Sequence, residues 1–171
     1  MATGTSLSGQ GGGIALRVGS GDSGTGGAVD ITAGESTAGS GGLVTLHGGE
    51  GSIGGVVDLQ AGDGFDMGGS LMLQSGQGTF GPSGNISVGT ADAFGVSGNI
   101  TLTTGSSLMG ASGSVVLQTG VARSGVAGVV NVSVRGGDSG VGGDLSLSAG
   151  STSDAADGGS IIAQGGQGAS G

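Results

Sequence analysis

The chain has 171 residues, of which 48 are glycine, one is proline (Pro82) and none is cysteine, tryptophan or tyrosine. Its 12 acidic residues stand against Arg17, Arg123 and Arg135 alone, so the formal net charge is −9. These counts exclude a disulfide framework, a thiolate metal centre, a collagen triple helix and a basic surface for nucleic acid or anionic membrane.

The mean hydropathy is +0.27, and the Val, Leu and Ile are evenly spaced, which argues against simple disorder. No apolar run approaches the length of a membrane span. The opening stretch, MATGTSLSGQGGG, has neither a basic region nor an apolar core, so no signal peptide is visible. Residues 1–11 read as a partial repeat or corner, and 12–171 as one continuous array of repeats.

The array is written in Gly-x-apolar-x-apolar. The unit opens at Gly12, Gly27, Gly42, Gly55, Gly69, Gly84, Gly98, Gly113, Gly128, Gly143 and Gly159, in steps of 13 to 16 residues. The first apolar column runs Ile14, Val29, Val44, Val57, Leu71, Ile86, Ile100, Val115, Val130, Leu145, Ile161. The second runs Leu16, Ile31, Leu46, Leu59, Leu73, Val88, Leu102, Leu117, Val132, Leu147, and ends on Ala163. Residues two apart share one face of a strand, and β-branched residues suit strands. The intervening positions are mostly polar, as in Asp30 and Thr32 or Thr101 and Thr103.

The expectation is therefore an all-β fold: a β-solenoid (β-helix) of eleven repeats of about 15 residues, each rung hydrogen-bonded to the next. A rung with one apolar face needs a facing partner. That favours two repeats per coil and two facing parallel sheets over one repeat per coil. The glycine-rich passages between rungs are predicted corners, where positive φ suits glycine. Ile53, Met67, Phe80, Phe94 and Met109 sit at equivalent corner positions and are expected to fill the corners of the core. The alternative is an exposed apolar stripe that docks a partner.

Few residues suggest chemistry. His47 is the only histidine and lacks a cysteine or carboxylate neighbour in sequence, so it reads as a solvated surface residue. Serines are plentiful without a His–acid partnership, and glycine-rich loops occur without Gly-Lys-Ser/Thr. The chain is not expected to be an enzyme. Asp22, Asp63, Asp66 and Asp138 stand in Asp-Gly-rich corners and are weak Ca2+ candidates, because Ca2+ needs several oxygens per site. No other cofactor is expected. Asn85, Asn99 and Asn131 each open an Asn-x-Ser/Thr sequon on a polar position, which makes them glycosylation candidates.

The segments GGAVDITAG, GGLVTLHGG, GGVVDLQAG and SGSVVLQTG resemble the Gly/Ser/Thr-rich repeat proteins of microbial and algal cell surfaces, over residues 12–166. The resemblance implies an extracellular or cell-surface location and a structural or adhesive role without catalytic residues. The expected function is a structural segment of a filament, surface layer or stalk, stiffened by stacked backbone hydrogen bonds. Its expected partners are further copies of itself, stacked end to end or assembled laterally, with glycans in addition. The end stretches GTSLSGQG and GGQGASG show no capping element, which fits a fragment or a polymerising unit. The alternative is a calcium-dependent adhesin or an ice-binding module. Ordered Thr-x-Thr ladders would mark the latter, and only Thr101-Leu102-Thr103 supplies one.

Overall fold

The computed structural model describes residues 3–4 and 6–168; the extreme ends of the 1–11 and 12–171 segments, and so part of both end stretches, lie outside them. The described residues contain no helix and no β-strand. The expected all-β solenoid, with its eleven paired rungs and two facing sheets, is therefore corrected: the chain is dominated by irregular coil and periodic bends.

The bends recur where the glycine-rich passages stand, for example at residues 22–24, 37–39, 51–53, 65–67 and 108–110. Each ends two or three residues before the glycine that opens the following unit. Between bends, exposure alternates along the chain. Val57 and Leu71 are shaded relative to Val56 and Met72, their sequence neighbours. That is the period-two pattern of a stretch whose successive side chains point to opposite sides.

What is missing is anything opposite the aliphatic face. No residue among those described is buried. The first column remains 49–61% exposed and the second 56–74%. The total accessible surface is 17190 Å². Two separate compact bodies of half the chain's mass would together expose about 8,700 Å², and the unfolded chain about 22,000 Å². The value lies nearer the second figure. The corner residues likewise fill no core: Phe80 and Phe94 are fully open to solvent, and Ile53, Met67 and Met109 nearly so.

The physical reason lies in what each rung can offer. Two medium aliphatic side chains must offset the ordering of a unit in which more than one residue in four is glycine across the chain, the residue that loses most entropy on folding. Long-range coil closure also competes with a nearer contact. Each opening glycine returns to the end of the unit just before it, closing a loop of about half a repeat. Halving a loop saves about 0.6 kcal/mol of closure free energy. Among the described residues the chain makes these local closures and few long-range contacts.

The chain divides into two units, Met1–Ile86 and Ser87–Gly171. The first contains the closures onto Gly12, Gly27, Gly42, Gly55, Gly69 and Gly84. The second contains those onto Gly98, Gly113, Gly128, Gly143 and Gly159.

Candidate functional site: the joints and the aliphatic columns

Each closure, or joint, brings an opening glycine against the residue six places after the previous opening glycine, or the residue beside it. At five joints the contact is sealed by a backbone hydrogen bond. Gly42 N–H donates to Gly34 O at 2.8 Å, Gly55 to Gly49 at 2.8 Å, Gly69 to Gly62 at 2.9 Å, Gly84 to Gly76 at 3.0 Å and Gly159 to Gly150 at 2.9 Å. The sealed loops differ in length by up to three residues, yet their hydrogen bonds agree within 0.2 Å. The variable repeat length is thus absorbed in the bend and does not reach the joint.

At the other joints no such bond forms among the described residues, and a methyl group lies in the gap. The position a Cβ would take on Gly27 is 2.6 Å from Val18 Cγ1, and that on Gly143 is 2.9 Å from Val134 Cγ1. On Gly98, Gly113 and Gly128 it lies 3.1–3.3 Å from the Cγ2 of Thr90, Thr104 and Thr119. Gly12 meets Thr3 in the same way.

One residue separates the two classes. The sealed joints carry Ala33, Gly48, Ala61, Ser75 and Ala149 at the contact; the unsealed joints carry Thr3, Val18, Thr90, Thr104, Thr119 and Val134. A β-branched side chain carries a Cγ methyl that a small one lacks, and at the unsealed joints that methyl stands beside the opening glycine. A small one lets N–H reach C=O. The small residues are also among the few partly shaded positions of the chain.

This yields a local prediction. Thr104→Ala is expected to seal its joint, giving Gly113 N–H a bond to Gly105 O, while Ala61→Val is expected to break the bond from Gly69. A net backbone hydrogen bond is worth about 1 kcal/mol, so protection of the named amide against hydrogen exchange should change roughly fivefold, up in the first case and down in the second. Unchanged protection in both would remove the methyl as the determinant.

Glycine at the joint is steric. On Gly48 a Cβ would collide with the Gly55 carbonyl, and on Gly55 it would lie 2.8 Å from Gly49 N. The expected need for positive φ at the corners holds at two described glycines only, Gly24 at 75° and Gly140 at 78°. Both close the same sequence, Gly-Asp-Ser-Gly, at 21–24 and 137–140.

That repeat explains two of the calcium candidates locally. Asp22 and Asp138 begin these bends, a position that aspartate favours in turns, and Asp22 Oδ1 accepts a hydrogen bond from Ser23 Oγ at 3.2 Å. Asp63 stands two residues before the bend at 65–67 and Asp66 lies within it, and both are exposed. Among the described residues no three His, Cys, Asp or Glu side chains gather as a metal site, and no pocket is present. Calorimetric titration with Ca2+ is expected to show no saturable heat; a stoichiometric isotherm would require an acidic cluster that forms only on binding.

The other candidates stay apart. His47 is exposed and directly follows the second-column Leu46. Asn85, Asn99 and Asn131 are exposed and alternate with the column residues Ile86, Ile100 and Val132. What the arrangement does present is aliphatic: two columns on one side of each unit, bordered by polar residues. Comparison with protein-family models, with curated proteins and with solved structures finds no match to this chain.

Proposed function

We propose that the chain is a non-catalytic structural segment of an extracellular filament, surface layer or stalk, which completes its fold by lateral association with further copies. The observation that carries this reading is the pair of half-exposed aliphatic columns, repeated rung after rung with nothing covering them. Apolar surface on this scale favours association over solvent. Among the described residues the backbone between the joints forms no strand ladder, and N–H and C=O groups outside a ladder are a template for another chain. An acidic, lysine-free surface keeps single copies soluble and separated until association is favoured. The extracellular setting follows the cell-surface resemblance of the repeat and agrees with sequons on exposed positions.

Sedimentation of the purified chain over a wide concentration range, with negative-stain imaging of the products, tests the reading. The expected result is concentration-dependent assembly into filaments or sheets. A chain that remains a single copy at millimolar concentration would overturn it.

A further inference from the structure

The bends hold what the columns lack. Phe65, Phe80 and Phe94 are the only phenylalanines of a chain without tyrosine or tryptophan; all three stand in bends and are fully open to solvent. In Met1–Ile86 three sealed loops carry a large apolar residue at the bend: 49–55 with Ile53, 62–69 with Phe65 and Met67, and 76–84 with Phe80. Each of these loops is folded tightly on its own backbone. A Cβ on Gly51 would lie 3.0 Å from Ile53 O, one on Gly64 would collide with Met67 O, and one on Gly78 with the carbonyls of Gly81 and Pro82. The interior of each loop is thus filled by its own backbone. The apolar side chain stands outside, 85–106% exposed, well above the columns. The loops are acidic as well. Glu50, Asp63 and Asp66 stand in them, all exposed, and no Lys or Arg occurs between Arg17 and Arg123.

We infer that these three loops are docking elements for a cationic, amphipathic polypeptide, separate from the aliphatic columns and independent of the self-association proposed for them. Charge decides among the occupants. A second copy brings the same carboxylates and no cation in its own loops, so loop against loop repels. An anionic lipid surface repels for the same reason. A neutral bilayer would have to take in Phe65 with Asp66 beside it, and a carboxylate is among the costliest groups to place in hydrocarbon. A partner that carries both Lys or Arg and aliphatic groups satisfies every part of the loops. Its cations pair with Glu50, Asp63 and Asp66 and lie over the negative faces of the Phe65 and Phe80 rings. Its apolar side chains cover Ile53 and Met67, which now face water. Closed loops suit this task because their backbone is ordered before the partner arrives, which lowers the cost of binding. Each loop is an anchor by itself, and three on one chain raise the effective concentration of the others once one is held.

The probe is a fluorescent synthetic helix of leucine and lysine, with leucine on one face and lysine on the other. Its anisotropy is read against the full chain at concentrations below the chain's own association. Saturable binding is expected. The same peptide with glutamate for lysine is expected not to bind. With serine for leucine it is expected to bind at least roughly tenfold more weakly and to be released by salt.

Changing Ile53, Phe65 and Phe80 together to serine leaves the net charge at −9 and is expected to weaken binding of the leucine–lysine peptide at least roughly tenfold. Glu50→Gln with Asp63→Asn and Asp66→Asn is expected to weaken it roughly threefold at low salt and to flatten its salt dependence. Val57→Ser with Leu59→Ser, on the columns, is expected to leave it within about twofold. The two loop variants remove different halves of the contact, so a loop that opens in one leaves the other to decide. Absence of peptide binding overturns the inference. So does binding that neither loop variant weakens, or that the column variant weakens as much. Tighter binding to neutral phosphatidylcholine vesicles than to the peptide, lost in the serine variant, would make the loops lipid anchors and overturns it too. Self-association is read separately by sedimentation, where the serine variant is expected to assemble like the parent. Failure of the docking inference therefore leaves the structural role standing, and failure of assembly leaves the loops to be judged by the peptide.

Discussion

Changing Val57 and Leu59 together to aspartate is expected to raise the concentration at which the chain associates by roughly 10- to 100-fold, as read by sedimentation. Full burial of such a side chain is worth about 1.5–3 kcal/mol. In the single chain Val57 is 49% and Leu59 56% exposed, so about half of that remains to be gained from a partner. The two together forfeit about 1.5 to 3 kcal/mol, and each 1.4 kcal/mol is tenfold in affinity. Added charge alone does not account for this. Thr45→Asp with Gln60→Asp adds the same two charges on the polar side and is expected to weaken association only a few-fold. Equal effects from the two pairs would mean that charge, and not the aliphatic face, governs assembly.

Acidification is expected to act in the opposite direction. Near neutral pH each copy carries a net charge of −9, so copies that associate repel one another. Lowering the pH protonates carboxylates, removes negative charge and brings the chain toward its isoelectric point near 4.1. Repulsion then falls and association strengthens. The midpoint should drop by at least about tenfold between pH 7 and pH 4 at 0.01 M ionic strength, where the Debye length is about 30 Å. At 1 M salt, with a Debye length of about 3 Å, most of that pH dependence should vanish. Dissociation on acidification would instead show that ionised carboxylates hold copies together, and would point to attraction by Arg17, Arg123 or Arg135.

Both outcomes hang on a chain that is incomplete as a single copy. A conventional domain places its apolar columns opposite one another within the chain, and a substitution there unfolds it. Here the same substitution is expected to leave the single copy much as it was, because Val57 and Leu59 touch little inside it. The joints behave differently. They are local, and a change such as Thr104→Ala is felt within its own loop. Local order and assembly are therefore separable by mutation, as they are in repeat proteins whose units interact only with neighbours.

Much of the local organisation could be read from the residues in order. The opening glycines, the two aliphatic columns, the polar positions between them and the placement of bends in the glycine-rich passages all follow from spacing, because side-chain alternation and glycine's tolerance of turns are properties of short segments. The joint code was also written there, six residues beyond each opening glycine, as Ala33, Gly48 and Ala61 against Thr90, Thr104 and Thr119. It had no meaning until the following glycine was seen to dock on it. The solenoid was not legible, because periodicity tells which side chains share a face and says nothing of what lies across from them. Val44 and Leu46 would have had the same spacing in a sealed core. Only the tertiary arrangement showed that their face is open and that the corners close on themselves. Burial depends on contacts between distant segments, and in this chain the near contact forms while the far one does not.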